Sequence, residues 1–562
     1  MNKKWEFYNY DDKKVEELAE KYNISELLAT VLVNRNIIED DDVKLFLEPT
    51  REDFGDPYLM PDMEKAVTRI MSAIENNERT IIYGDYDVDG ITSITVLSKF
   101  LKERGLNVGY YIPNRLNEGY GLNQNAIKKI ADEGYKLIIT VDCGISGIQE
   151  VDYANSLGME VIVTDHHEPL EELPNAIAVV DCKRKDNKYP YNSLAGVGVA
   201  FKLCQAIGIK LGLEEKEYLK YLDVVCIGTI SDIVPLINEN RVITKLGLKL
   251  VEKTRSPAIK ALLNAANYKE INSTTVSFGI APRINACGRM GHEKDALDLF
   301  LTENIVEANS ITSKLNEYNR KRQEIEKKIF DEAIREIKKE NLNESSVIVL
   351  GKEGWHHGVI GIVSSKITEM FYKPSILVCF EGEIGKGSGR SIPGFDLHSA
   401  LCLSSKYLEK YGGHEMAVGL SLKKNNFNRF KAELEKLAKE ANIEEYVPVI
   451  KIDKEINNKD ISISNIESLK LLEPYGESNT VPIFLYRNLK IDSIRALSEG
   501  KHLKLTLKDK NTIINAIGFN MGEYAEEYLI GDKVDVIGNL EINEYNGNSF
   551  VQINMKDLRK SY

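Results

Sequence analysis

Asp85, Asp87 and Asp89 stand at alternate positions at the end of the apolar run Ile81-Ile82-Tyr83-Gly84. Ionised carboxylates so close together repel one another, and solvent or bound divalent metal offsets that cost. A solvated acidic turn and a calcium loop are the competing readings. An EF-hand loop begun at Asp85 has Gly90 in place but needs a bidentate Glu at its twelfth position, where the chain has Val96. The calcium loop therefore fails. What remains is a strand, an acidic loop and an amphipathic helix from about Ile91 to Lys102, with the acids at the carboxyl end of the strand.

The pattern recurs. Lys136–Val141 delivers Asp142, Val161–Thr164 delivers Asp165-His166-His167-Glu168, and Ala176–Val180 delivers Asp181. Helical stretches at Asn123–Glu133 and Ser146–Leu157 separate them, so the order is βαβαβ and the sheet is mostly parallel. In such a sheet all carboxyl ends share one edge, where residues distant in sequence converge. A single Asp at a strand end is usually a helix N-cap, but recurrence beside a His pair favours metal ligation. Carboxylates with imidazole suit Mn²⁺ or Mg²⁺. Two ions bridged by one carboxylate could activate a water and stabilise a phosphodiester in displacement, and Asp142, alone after its strand, is the candidate bridge. Asp232, in the run Ile230–Pro235, reads from spacing alone as a helix or turn cap.

The blocks Asp85–Asp89, Val141–Gly144, Asp165–His167 and Ser231–Pro235 resemble, in order, the four motifs of the DHH phosphoesterase superfamily. Further blocks resemble its RecJ branch of single-strand-specific exonucleases: Tyr111–Arg115, Gly119–Leu122, Ala195–Ala200, Pro282–Met290, Trp355–Gly361 and Gly387–Ser391. The chain departs from the branch at His357, where Pro is usual, at Asn114, where His is usual, and at Ser478 and Thr480, where Gly and Pro are common. The resemblance implies that Asp87 and Asp85 bind one metal, that Asp89, His166 and Asp232 bind the other, and that His167 lies beside the scissile phosphate as stabiliser or proton donor. Asp165 is either a ligand or a residue that orients its neighbours.

Substrate selection needs positive charge away from the metals. Arg390, in a glycine-rich run, can offer a guanidinium fork beside backbone N–H groups, and Arg115 can do the same from the opposite lobe. The resemblance implies that Arg115, Ser388 and Arg390 hold a terminal 5′-phosphate, giving 5′→3′ polarity and 5′-mononucleotide products. Arg283 and Arg289 read as backbone-phosphate contacts or supports of the site, and Gly412-Gly413-His414 as a tight turn or a DNA contact. Single-stranded DNA is the implied substrate, and a single-strand-binding protein and a helicase are the implied partners.

Length, 562 residues, accommodates several domains. The expected fold is α/β: an N-terminal appendage (1–60), a DHH metal lobe (61–215), a helical connection ending in a long helix from Ile305 to Glu340 (216–340) and a DHH-associated α/β lobe (345–440). An OB-like β-barrel (448–562), implied by the family, completes it, and its aromatics could stack bases. Hydrophobic content of 43% and charged content of 28% are ordinary for a globular chain. No run of 18 apolar residues and no signal-peptide pattern occur, so a cytosolic, non-membrane protein is expected. Seven cysteines without a Cys-x-x-Cys pair argue against a disulfide framework or a zinc ribbon. The net charge of −13 alone would favour a small-substrate phosphoesterase, because DNA binding neutralises phosphates with Lys and Arg. The motifs overrule it. The rival readings are a DHH phosphoesterase for short RNA or cyclic dinucleotides, and a DNA-clamping protein whose nuclease has decayed.

Overall fold

The apolar runs before the acids form one parallel sheet: β1 (Thr80–Gly84), β2 (Val108–Tyr111), β3 (Leu137–Val141), β4 (Glu160–Thr164) and β5 (Ala178–Val180), in the spatial order β2-β1-β3-β4-β5. β1 and β3 are buried along their whole length, which is why their sequences are unbroken apolar runs rather than alternating ones. Helix α1 (Val88–Lys102) begins before the expected Ile91, because Asp87 caps it: its carboxylate accepts from Gly90 N at 3.1 Å. Asp89 therefore lies in the first helical turn. Helices α2 (Gln124–Asp132) and α3 (Ile148–Ser156) are crossovers, and α4 (Gly196–Lys210) and α5 (Leu222–Ser231) pack on α1.

The computed structural model describes residues 3–510, 512–545 and 547–561. Residues 56–232 and 250–448 form one unit, which holds this sheet, the helical connection and a second lobe. The connection includes α6 (Ala281–Arg289) and ends in α7 (Ile305–Lys339), a single helix of 35 residues. The second lobe comprises β6 (Ile348–Glu353), α8 (His357–Phe371), β7 (Ser375–Glu381), β8 (Ile384–Arg390), β9 (Lys410–His414), β10 (Ala417–Lys423) and α9 (Phe427–Glu440), with sheet order β9-β10-β8-β7-β6.

The glycine-rich run is thus the strand β8, paired on both sides. Its alternate glycines face the core. A Cβ on Gly385 would lie 2.7 Å from Val378, and one on Gly389 would lie 2.8 Å from Val418. Lys386, Ser388 and Arg390 take the opposite face, where α8 packs. The expectation that Arg390 works beside free backbone N–H groups is corrected, because those of β8 are donors in the sheet ladder. Gly412-Gly413-His414 is likewise part of the edge strand β9, not a tight turn.

The other unit contains the described parts of residues 1–55, 233–249 and 449–562. Phe484–Leu497, His502–Asp509, Thr512–Gly518, Asn548–Lys560 and Lys533–Tyr545 pair in that order, and the last closes on the first to make a five-stranded barrel. The sequence reading separated the N-terminal segment from this barrel. In the structure they share one core, in which Leu28, Val31 and Phe46 cluster with Phe484, Leu505 and Val536. Lys4–Phe7 also pairs in parallel with Val449–Ile452. Buried Arg241 ties the three segments, donating to the carbonyls of Phe46, Leu471, Leu472 and Glu473. No helix among the described residues is long and apolar enough to cross a membrane.

Candidate metal centre

Asp142 is placed by backbone geometry before it is placed by chemistry. It follows β3 with a φ of 58°, a left-handed conformation that Asp tolerates better than most residues. This turns its carboxylate under the N-terminus of α4. A Cβ on Gly196 would lie 2.7 Å from that of Asp142 and 2.9 Å from Asp89 Oδ2, so only glycine fits there. The backbone N–H groups of Gly196 and Val197 donate to the two oxygens of Asp89 at 2.6 and 2.8 Å. Sequence reasoning missed this grip, although the small-residue alternation Gly196-Val197-Gly198 was its signal.

Three groups of ligand atoms result among the described residues, each with its atoms within 4.8 Å of one another: Asp85, Asp87 and Asp142; Asp89, His166 and Asp232; and Asp142, Asp165, His166 and His167, which shares Asp142 with the first and His166 with the second. His166 Nε2 lies 3.1 Å from Asp142 Oδ1, 3.7 Å from Asp232 Oδ2 and 3.8 Å from Asp89 Oδ2. Asp232 is the C-cap of α5, and the packing of α5 on α1 carries it to the sheet edge. Asp181 is not among the converging ligand atoms. Its Oδ1 accepts from Lys183 N at 2.7 Å and caps the turn after β5.

The donor set fits divalent cations. Asp85 Oδ1 and His166 Nε2 are buried without a hydrogen bond among the described residues. Such orphaned atoms are costly unless something else satisfies them. Burial, then the charges of neighbouring aspartates, pushes the carboxyls of Asp85, Asp142 and Asp232 well above the usual range. Asp89 is pushed up to about 7 by burial and by Asp87. Burial and neighbouring His167 push His166 down to about 3, leaving a neutral imidazole with ligand character.

This repulsion has a measurable consequence. With Asp89 raised from 3.8 to about 7, the folded metal-free protein binds more protons than the unfolded chain. The stability so gained is present below the unfolded value and is lost as pH rises through about 7. The melting temperature of chelator-treated protein is expected to fall from mildly acidic to mildly alkaline pH, and Mn²⁺ to cancel most of the fall. A melting temperature indifferent to both would contradict the cluster's electrostatics.

Asp165 is fully buried and spends itself on its neighbours. It accepts from His166 N at 2.8 Å, from Ile145 N at 2.9 Å and from His167 Nδ1 at 2.7 Å. Burial alone would raise its pKa, but the bond from His167 and the two imidazoles hold it below the usual range. In return, and against burial, Asp165 raises that of His167. Tyr120, which sequence reasoning left unassigned, reaches His167 Nδ1 at 3.1 Å and donates to the Asp142 carbonyl at 3.2 Å. His167 is therefore fixed through Nδ1, which leaves Nε2 for a substrate.

The arginines divide. Arg283 donates to Asn316 Oδ1 at 2.6 Å and to the carbonyls of Ala265 and Gly279, bonds that tie it into the helical connection. Arg289, at the end of α6, donates to the Gly358 carbonyl at 3.0 Å. Burial lowers it to about 9, and Arg115, Arg322 and Arg390 add repulsion. Arg322 is neutralised by Glu326. Arg390 is lowered by burial and by Arg115, and donates to Ser388 Oγ at 3.3 Å. Arg115 lies over the Tyr86 ring at 4.8 Å. Arg115, Arg289 and Arg390 thus concentrate positive charge within the unit that holds the acidic cluster. His414 is exposed at the end of β9, in the row that carries Ala417 and Arg390.

Known protein families and structures match this chain along nearly its whole length. Residues 79–229 match the model of the DHH family N-terminal domain, residues 344–440 the DHHA1 domain and residues 452–557 the RecJ OB domain. The single-stranded-DNA-specific exonuclease RecJ of Bacillus subtilis is 38% identical over 564 aligned residues, covering 99% of this chain and 71% of that protein. Crystal structures of Thermus thermophilus RecJ superpose with TM-scores of 0.87 for the Mn²⁺ complex and 0.79 for the Mg²⁺ complex. Their sequence identities are 30% and 28%, and the matches cover 100% of this chain and 80% and 79% of those chains.

Proposed function

Because this chain belongs to the RecJ family of DHH phosphoesterases, we propose that it is a metal-dependent single-stranded-DNA-specific exonuclease that works 5′→3′ and releases 5′-mononucleotides in recombination and repair. The observation that carries the reading is the meeting of two acidic sets at Asp142 and His166. Asp85, Asp87 and Asp142 would hold one Mn²⁺ or Mg²⁺ ion and Asp89, His166 and Asp232 the other, with Asp142 between them. Two such ions, when bound, activate a water and neutralise charge developing on the phosphodiester.

The chain's own groups do the rest. His167, held by Asp165, presents Nε2 to the scissile phosphate. Arg115, Arg390 and Ser388 hold the terminal phosphate, and Arg289 lends charge while bracing the Gly358 carbonyl. The barrel offers a binding surface for the strand, on which Phe519 is 53% exposed beside His502. The family likeness alone supports a single-strand-binding protein and a helicase as partners, and the sequence pattern supports the cytosol as location. The likeness also supports DNA contact by His414.

The test compares single strands, duplex and cyclic dinucleotides as substrates, each with Mn²⁺. Rapid turnover of single strands only is expected, and preference for the dinucleotide would support the rival phosphoesterase. On single strands, Arg115→Ala and Arg390→Ala should each lower kcat/KM about ten-fold or more with a 5′-phosphate and far less with a 5′-hydroxyl. Equal losses would make them general backbone contacts.

A further inference from the structure

His357 departs from the family's usual Pro, and its surroundings give it a task. It is the first residue of α8, and Gly361 follows one turn later on the same helical face. That face looks onto the terminal-phosphate residues: a Cβ on Gly361 would lie 2.8 Å from Ser388 Oγ and 3.4 Å from Arg390 Nη2. Lys386 stands two residues before Ser388 on the same face of β8. No carboxylate lies within 4 Å of its ammonium among the described residues. His357 Nδ1 is enclosed and has no hydrogen-bond partner among the described residues. Burial, followed by the nearby charges of Lys386 and Arg115, lowers its pKa. The Glu381 carboxylate opposes these charges without outweighing them, and an enclosed, unpartnered ring nitrogen in a region of net positive charge is suited to an anionic acceptor.

We infer that His357 and Lys386 extend the Arg115–Ser388–Arg390 pocket, so that in this chain the 5′-terminal phosphate monoester also receives an imidazole N–H and an ammonium. The inference rests on the terminal-phosphate reading above. Proline at the first helical position is well accommodated, so the family-like variant His357→Pro should fold. Removing the charge-assisted hydrogen bond that either residue gives the phosphate should cost about ten-fold in selectivity.

The experiment measures kcat/KM on 5′-phosphorylated and 5′-hydroxyl strands for wild type, His357→Pro, His357→Gln and Lys386→Gln, with Arg390→Ala as reference. The ratio of the two is expected to fall about ten-fold in His357→Pro and Lys386→Gln, and less in His357→Gln, which keeps an N–H donor. A wild-type preference that Arg390→Ala removes but His357→Pro and Lys386→Gln preserve would overturn this inference alone. A wild-type ratio near one would overturn both it and the pocket. Inhibition by added deoxynucleoside 5′-monophosphate is measured in parallel. Variants that relieve that inhibition without changing the ratio would place the pair on released product and overturn the assignment to the strand end.

Discussion

Asp142→Asn should abolish hydrolysis, lowering the rate by about a thousand-fold or more, while the protein stays folded. Asn suits the test better than Ala, because residue 142 has a φ of 58°, a region Asn tolerates and Ala enters only at about 1–2 kcal/mol. The substitution removes the carboxylate that converges with Asp85 and Asp87 on one side and lies 3.1 Å from His166 Nε2 on the other. In chelator-treated protein it should raise the melting temperature, since one buried, mutually repelling carboxylate is gone. Single-strand binding should survive, because Arg115, Arg390 and the barrel lie outside the change. Retention of more than about a tenth of the wild-type rate would be incompatible with a shared ligand worth several kcal/mol.

His167→Ala is expected to lower kcat by about 10²- to 10⁴-fold, with KM and Mn²⁺ affinity little altered. The reason is geometric: His167 Nδ1 is committed to Asp165 at 2.7 Å, and its function rests on Nε2. Asp165→Asn weakens that anchor without removing the ring and should cost about 10- to 100-fold, the usual effect of an outer partner. Single-turnover rates and a metal titration on each variant separate the roles. A large loss of metal affinity in His167→Ala would make it a ligand instead.

The strand ends were legible because a parallel sheet buried on both faces writes its strands as unbroken apolar runs, and the acids mark where each run meets solvent or metal. Asp232 was not legible from spacing. It reaches the cluster through the packing of α5 on α1, a tertiary fact with no local signature. The glycine run at β8 misled for an opposite reason. A glycine-rich run suggests backbone N–H groups open to a phosphate, but here the alternate glycines make room for Val378, Leu420 and Val418 on the core face of a strand. The engagement of Arg283 by two carbonyls and Asn316 was equally invisible, since two of its acceptors, Ala265 and Asn316, come from other helices of the connection. So was the shared core of the N-terminal segment and the barrel, which depends on pairing between the two ends of the chain.

The most direct test of the account follows the label on a single strand that carries it in the 5′-terminal phosphate, digested with Mn²⁺ and sampled from the earliest times. The first labelled product should be a 5′-mononucleotide, present before any labelled intermediate length, because the terminal phosphate is gripped while the next phosphodiester meets the metal centre. Labelled strands that shorten progressively, or labelled dinucleotides and longer fragments as first products, would contradict it.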